Sequence, residues 1–176
     1  VFLREILDKE DLQTYYGEDY KPYKLSENRI YKFIKRRGAI SDARRFKKIK
    51  HNISSILEVG CADGLYLSEL RKELSAQVIG IEPDKATSKN GSIRNDLRII
   101  NGSIEDDILI NDDFDIIVMN YVLEHVIDPM KVLIRMRNIL KSRGLLSIRV
   151  PNANTFERFV FRNNWGAYEA PRHITI

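Results

Sequence analysis

The sequence contains very little cysteine and has no long apolar run. Its one cysteine, Cys61, cannot form a disulfide within the chain and cannot build a multi-cysteine metal site. No apolar stretch reaches the roughly 18 residues that span a membrane, and no secretory signal opens the chain. The chain begins at Val1 instead of a methionine, so a leader removed earlier would leave no trace. These absences exclude a disulfide scaffold and favour the reducing cytoplasm.

The composition is that of an ordinary globular domain, but the charge is unevenly distributed. Hydrophobic residues make up 43% and charged residues 31% of the sequence, which is typical of soluble globular proteins. A chain of 176 residues is long enough to form one domain with a buried core. The net charge is +4, yet residues 1–50 carry 14 basic against 8 acidic side chains. Disordered and collagen-like chains are therefore excluded, and the basic surplus lies near the amino end.

The basic surplus concentrates in residues 29–50, where two interpretations stay open. Apolar side chains recur at helical spacing on both sides of Gly38, which predicts two amphipathic helices docked on the core. They are Ile30, Phe33 and Ile34 before the glycine, and Phe46 and Ile49 after it. The alternative is an electrostatic surface for nucleic acid or acidic lipid.

Five short apolar segments alternate with helical patterns from residue 54 onward. The predicted strands are 55–59, 77–81, 97–100, 114–120 and 145–150. Continuous apolar strands that alternate with helices indicate a parallel sheet covered on both faces. Right-handed crossovers make this an α/β fold with a doubly wound, mostly parallel sheet, which binds ligands beyond the carboxyl ends of its strands.

Three helices are predicted between these strands. Leu67, Leu70 and Leu74 mark the first, and Asp84 caps a weak second helix. The third begins with an N-cap aspartate and a proline, and Gly144 is predicted to end it. Its N-terminal residues and apolar face are Asp128, Pro129, Val132, Leu133, Met136, Ile139 and Leu140.

The turn after the first strand carries Gly60 and Gly64 in a G-x-x-x-G pattern. Glycine lets the backbone approach a ligand closely, and the following helix N-terminus offers unpaired N–H groups. A dinucleotide turn needs G-x-G-x-x-G, so a pyrophosphate site is disfavoured. Glu82 follows the second strand, and a carboxylate there can accept both hydroxyls of a ribose. Turn and acid together predict a nucleoside site.

The order of the motifs resembles the class I S-adenosylmethionine-dependent methyltransferases. The resemblance rests on ILEVGCADG, GIEPD, NGSIED, FDIIVMNYVLEHVIDP and GLLSIRVPN, which cover about residues 50–155. The phrase VLEHVIDP is typical of enzymes that methylate quinones and related small molecules, and NNWGAYEAPRHITI resembles a branch associated with surface polysaccharides. The resemblance implies a Rossmann-like methyltransferase fold, S-adenosylmethionine as cofactor, no metal, and in-line methyl transfer to a small-molecule or glycan acceptor.

The resemblance also implies individual site residues. Glu58, Gly60, Cys61 and Gly64 would line the methionine half of the cofactor. Pro83 would lie near the adenine, Ser103 and Ile104 would border the base, and Asn120 would lie near the sulfonium end. Glu82 would hold the ribose. Two positions depart from the family pattern. Ala62 replaces the middle glycine, and Ser103 stands where an acid usually accepts from the adenine amino group, a role left open between Glu105 and Asp106.

His125 is the candidate general base, because a neutral imidazole can accept a proton near pH 7. The alternative is a structural histidine that holds its loop through backbone hydrogen bonds. His173 is a second candidate with the same two interpretations. His51, in the linker before the first strand, is expected at the surface.

The chain is expected to divide into a helical or lid-like segment, 1–50, a cofactor-binding core, 51–155, and the start of an acceptor-side segment, 156–176. The usual helix and hairpin after the fifth strand do not fit into the last segment, so the C-terminal strands are expected to be missing. Either a second copy is expected to cover the exposed sheet edge, or this segment is expected to be less stable than its parent protein. Trp165 and Tyr168 are expected either to line the acceptor pocket or to pack in the core under a loop. The tyrosines expected either to close over the cofactor as a lid or merely to pack are Tyr15, Tyr16, Tyr20 and Tyr23.

Three other functions stay open from the sequence. An NAD(P)-dependent oxidoreductase would use a similar sheet, whereas an RNA methyltransferase or a non-catalytic binding module would use the basic residues 29–50. Base-flipping enzymes are disfavoured, since Asn120 is followed by Tyr121 and Val122 instead of prolines, and Cys61 lies in the wrong loop for a cytosine-C5 nucleophile. Nucleic acid is therefore not the expected partner.

Overall fold

The computed structural model describes residues 28–106, 113–152 and 154–161. Its helices are α1 (Arg29–Ile49), α2 (Leu65–Leu74), α3 (Lys85–Asn95), α4 (Pro129–Asn138) and α5 (Phe156–Phe161), with a 3-10 helix at Leu123–His125. Its strands are β1 (Ser55–Val59), β2 (Gln77–Glu82), β3 (Arg98–Asn101), β4 (Phe114–Asn120) and β5 (Leu140–Arg149). Within these residues, no helix is both long and apolar enough to cross a bilayer.

The five strands form one parallel sheet in the order β3-β2-β1-β4-β5. The central strand β1 pairs its Ile56 with Val78 of β2 and with Ile116 of β4. The strand order reverses between β1 and β4, which opens a crevice beyond their carboxyl ends. The predicted doubly wound α/β fold is confirmed.

Alternate residues of the central strands pack into two apolar clusters on opposite faces of the sheet, because successive side chains of a strand point to opposite sides. Ile56 and Ile116 join the cluster formed with α1 and α2. Leu57 and Ile117 join the cluster formed with α4. The helical residues in these clusters are Ala39, Ala43, Phe46, Tyr66, Leu67, Leu70, Leu74, Val132 and Met136.

Helix α1 is continuous, so the predicted break at Gly38 is wrong. A glycine inside a helix costs only about 0.5–1 kcal/mol, and the buried Ala39 and Phe46 hold the helix on the core. Asn28 caps the start by accepting from two backbone N–H groups. The predicted docking of the first half is also wrong, since Ile30, Phe33 and Ile34 are 70%, 62% and 62% exposed. Ile49 is 65% exposed as well, so Phe46 is the one residue of this apolar pattern that reaches the core.

The predicted end of α4 at Gly144 is wrong as well. The helix ends at Asn138, and Leu140 begins β5 by pairing with Phe114 instead of extending the apolar face of the helix. The register then shifts, because the chain bulges through Arg143 at φ +62° before the pairing resumes. The predicted caps at Asp84 and Asp128 are confirmed, since both side chains accept from backbone N–H groups three residues on.

Candidate active site

The residues predicted to hold a nucleoside meet at the carboxyl edge of the sheet. Gly60 follows β1, Glu82 ends β2 and Asn120 ends β4, and these strands are neighbours. The N–H groups of Gly60 and Cys61 donate to the carbonyl oxygen of Ile81 at 2.8 and 3.1 Å. The bend after β1 is therefore tied to the end of β2.

The glycine bend, residues 60–64, is tight enough to require its small residues. Gly60, Ala62 and Gly64 have φ angles of 70°, 50° and 70°. A Cβ on Gly60 would lie 2.5 Å from a methyl of Val122, and one on Gly64 would lie 2.7 Å from a methyl of Leu97. Ala62 adopts the left-handed conformation that suits glycine better, so this departure from the family pattern is absorbed at a cost of roughly 1–2 kcal/mol.

Glu82 joins the glycine bend to the start of α3, and the residue is only 3% exposed. One carboxylate oxygen accepts from the N–H of Ala62 at 2.9 Å, and the other accepts from the N–H of Asp84 at 3.0 Å. A carboxylate oxygen can accept more than one hydrogen bond, so these two backbone bonds do not by themselves prevent Glu82 from accepting a ligand hydroxyl. Pro83 beside it is exposed, and its carbonyl accepts from Asn101.

Glu58 is a second buried carboxyl group at this edge. Its Oε2 has no hydrogen-bond partner among the described residues. Burial raises the pKa of Glu58 to about 8, and Lys35 opposes this rise. The nearby carboxylates of Asp63 and Glu82 add to it. A buried oxygen with spare acceptor capacity in an acidic surrounding fits a cationic ligand.

Lys35 of α1 reaches this group, and sequence reasoning missed it. Its Nζ lies 4.0 Å from an Asp63 carboxylate oxygen and 5.1 Å from the centre of the Tyr31 ring. Burial lowers the pKa of Lys35, but Tyr31 and the carboxylates outweigh that effect and leave it raised. The available signal was its spacing of four residues before the buried Ala39, which sets it on the inner face of the helix.

Cys61 contributes backbone, not a thiol, to the site. The residue is 1% exposed, and its sulfur packs against Gly80 within the core cluster. Burial raises the pKa of this thiol far above its usual range. Its side chain therefore faces away from the crevice, while its backbone N–H lies in the glycine bend.

The loop after β3 places the predicted adenine-side residues. Ile104 is 3% exposed, and the hydroxyl of Ser103 accepts from the N–H of Glu105 at 3.2 Å. Glu105 itself accepts from the N–H of Ile127 at 2.9 Å, and Asp106 accepts from the N–H of Ser103 at 2.9 Å. Glu105 and Asp106 were the two acids considered for the role of the usual adenine acceptor. Both thus also form hydrogen bonds that stabilise the loop.

Asn120 is held by a polar network that sequence reasoning did not find. Its side-chain oxygen accepts from Arg149 at 3.3 Å. The other end of the Arg149 guanidinium donates to Asp42 of α1, and the Tyr66 hydroxyl donates to the same carboxylate at 2.7 Å. Asp42 is 3% exposed, and burial raises the pKa of Tyr66 far above its usual range. The network ties α1 and α2 to the carboxyl ends of β4 and β5.

His125 lies in the 3-10 helix directly after β4, and its N–H donates to the carbonyl of Val122 at 2.9 Å. It is half-buried at the same edge as the glycine bend. His51 is exposed, as expected. The second histidine and the aromatic candidates lie outside the described residues, namely Tyr15, Tyr16, Tyr20, Tyr23, Trp165, Tyr168 and His173.

Comparison with known proteins identifies the fold and the family. The chain has the fold of the plantazolicin methyltransferase BpumL in complex with SAH, with a TM-score of 0.72 and 18% identity over 94% of this chain and 68% of that one. A SAM-bound amino pentose methyltransferase from Micromonospora echinaspora, involved in calicheamicin biosynthesis, gives a TM-score of 0.61 and 16% identity over 85% of this chain and 59% of that one.

Two curated relatives have a higher sequence identity to this chain than these two structures do. A ubiquinone biosynthesis O-methyltransferase of Bradyrhizobium diazoefficiens is 33% identical over 131 residues, which are 68% of this chain and 51% of the relative. Its counterpart in Cereibacter sphaeroides is 32% identical over 106 residues, 56% of this chain and 42% of the relative. The chain thus spans about half the length of these relatives.

A family model described as a methyltransferase domain matches residues 24–176, which is most of the chain. The chain therefore belongs to the methyltransferase domain family, and its predicted membership of the class I S-adenosylmethionine-dependent methyltransferases is confirmed.

Proposed function

We propose that the protein methylates an oxygen atom of a small-molecule acceptor with S-adenosylmethionine as methyl donor. The observation that carries the proposal is the buried Glu82, which joins the glycine bend to the end of β2. When bound, S-adenosylmethionine supplies a methyl group activated on a sulfonium. The chain has to hold the cofactor, orient the acceptor and exclude water, and orientation alone contributes about 7–11 kcal/mol to such reactions.

The residues at the carboxyl edge fit this cofactor. At Gly60 and Gly64 the backbone lies so close to its neighbours that a side chain would clash. Glu82 offers carboxylate oxygens as acceptors for the ribose hydroxyls. The unpartnered oxygen of Glu58 fits the positive methionine half. Asn120 and its network stand at the end of β4, where the sulfonium end would lie. Pro83, Ser103 and Ile104 would border the base.

The relatives support a small hydroxyl-bearing acceptor. Both curated relatives carry O-methyltransferase in their names, and the structural neighbours act on plantazolicin and an amino pentose. A glycan acceptor stays within the proposal, as do the cytoplasm as location and a second copy of the chain as partner. The matched family is one of methyltransferases and not of oxidoreductases, and the turn lacks the third glycine that a dinucleotide site needs.

We also propose His125 as the general base that takes the proton of the acceptor hydroxyl. Its position after β4 at the edge of the crevice supports this role. A positioned base contributes about 10²–10⁴-fold. The variant His125→Asn is expected to lower kcat at least about tenfold on a phenolic acceptor while the affinity for S-adenosylhomocysteine is kept. An unchanged kcat and pH profile would leave His125 only a structural role.

Calorimetry with S-adenosylhomocysteine tests the cofactor site. The full chain is expected to bind, and Glu82→Ala is expected to weaken binding about tenfold or more, which corresponds to about 1.4 kcal/mol. The control is Asp113→Ala, an exposed acid at the opposite edge of the sheet, which should bind as the parent does. The absence of binding at millimolar ligand, or equal affinity for the Glu82 variant, would refute the proposal.

A further inference from the structure

The outward face of α1 carries a high positive charge and no acid. Its exposed basic residues are Arg29, Arg36, Arg37, Arg44, Arg45, Lys47 and Lys48. The only acidic residue of the helix is Asp42, which is buried and bonded to Tyr66 and Arg149. Arg36 also lies 3.4 Å from Glu69, whereas Arg44 and Arg45 are exposed. The helix thus presents a one-signed surface.

Large apolar side chains are interspersed with these charges. Ile30, Phe33 and Ile34 are more than 60% exposed, and their i, i+3 and i+4 spacing sets them in one strip. The Arg37 guanidinium stands over the Phe33 ring at 6.0 Å and belongs to the same strip. The opposite face of the helix is fixed on the core through Ala39 and Phe46, so the strip is presented by a rigid element.

We propose that the outward face of α1, residues 29–48, docks the protein on an anionic lipid surface. Charge complementarity selects the partner, because Arg and Lys near an anionic bilayer each contribute about 1 kcal/mol. The exposed isoleucines and phenylalanine enter the boundary between head groups and acyl chains, as in other interfacial helices. A nucleic acid would use the charges but would leave Ile30 and Ile34 in water. Lys35, on the inner face of the same helix, reaches Asp63, so α1 connects the docked face to the glycine bend.

Vesicle sedimentation tests the proposal on the full chain. Vesicles of phosphatidylglycerol and phosphatidylcholine in equal parts are compared with phosphatidylcholine alone at about 0.1 M salt. Binding to the anionic vesicles is expected to be at least about tenfold stronger. The double variants Arg44→Gln with Arg45→Gln, and Phe33→Ser with Ile34→Ser, are each expected to weaken it about tenfold or more. In Phe33→Trp, the emission should shift to the blue when vesicles are added.

Controls on α3 separate this effect from general charge or apolarity. Lys85→Gln with Lys89→Gln, and Ile93→Ser, change equally exposed residues on another helix and should bind as the parent does. Equal binding to both vesicle types, or equal losses in the α3 variants, overturns the proposal. So does an unchanged affinity of the Phe33 and Ile34 variant. RNA binding that depends on Arg44 and Arg45 without vesicle binding would assign the face to nucleic acid instead.

Discussion

At the scale of single residues, the two buried acids of the site, Glu82 and Glu58, differ in their hydrogen bonding. Glu82 accepts two backbone hydrogen bonds, which suit a charged carboxylate. Glu58 lies two residues before the bend with an unpartnered oxygen, and burial raises its pKa to about 8. Near neutral pH burial therefore favours the protonated form of Glu58, and a cationic ligand would favour the charged form.

Glu58→Gln is expected to change the pH dependence of stability. The pKa of Glu58 is raised from 4.5 to about 8, so its contribution is complete below pH 4.5 and is lost as the pH rises to about 8. Glutamine stays neutral throughout. The variant should therefore be more stable than the parent by roughly 2–4 kcal/mol near pH 9 and similar to it near pH 5. Thermal unfolding across this range is the measurement, with Glu73→Gln as control. A variant less stable than the parent near pH 9 would contradict this assignment.

At the scale of elements, two glycines in helices have opposite surroundings. A Cβ on Gly38 of α1 would meet nothing within 4 Å, whereas a Cβ on Gly91 of α3 would lie 2.7 Å from the carbonyl oxygen of Asp63. Asn95 of the same helix donates to that oxygen at 2.7 Å. Helix α3 thus supports the glycine bend from outside by close backbone contact.

The two glycines predict opposite effects of one substitution. Gly38→Ala should stabilise the protein by about 0.5–1 kcal/mol, because alanine has less freedom in the unfolded chain. Gly91→Ala should destabilise it by about 1–3 kcal/mol, because the methyl group displaces backbone. Denaturant unfolding of the pair provides a matched comparison. The packing of α3 on the bend would be disproved if both alanines stabilised the protein.

The network that joins α1 to β5 also makes a prediction. Tyr66→Phe removes one donor to the buried Asp42 and should cost about 1–3 kcal/mol. The control Tyr121→Phe removes a hydroxyl from a residue that is 59% exposed and should change stability by less than about 0.5 kcal/mol. Urea unfolding measures both, and equal stabilities of the two variants would show that the tyrosine hydroxyl does not hold α1.

Local patterns predicted some elements well and others badly. β1 and β4 have the predicted bounds because each is a short, mostly apolar run of a length typical of a buried strand. Gly38 and Gly144 were misinterpreted because a glycine stops a helix only where the chain turns. Lys35 was missed because it stands among other basic residues, of which Arg36 and Arg37 are exposed. The pairing of Asp42 with Arg149 joins residues 107 positions apart, which no local pattern shows.

At the scale of the whole molecule, the sheet has two edges and only one carries the proposed chemistry. The carboxyl edge gathers Gly60, Glu82 and Asn120. The amino edge has an open groove of about 890 Å³, lined in part by Ser54 and Arg98. Parallel strands bind ligands at their carboxyl ends, at the point where strand order reverses. We therefore propose the crevice with the buried acids as the functional edge, in spite of the open groove opposite.

A crystal structure of the full chain with S-adenosylhomocysteine tests the central claim most directly. The account predicts the nucleoside beyond the carboxyl ends of β1 and β2, with both ribose hydroxyls within hydrogen-bond distance of the Glu82 carboxylate and the glycine bend against the methionine half. A nucleoside in the amino-edge groove, or one at the carboxyl edge that leaves Glu82 out of contact, would contradict it.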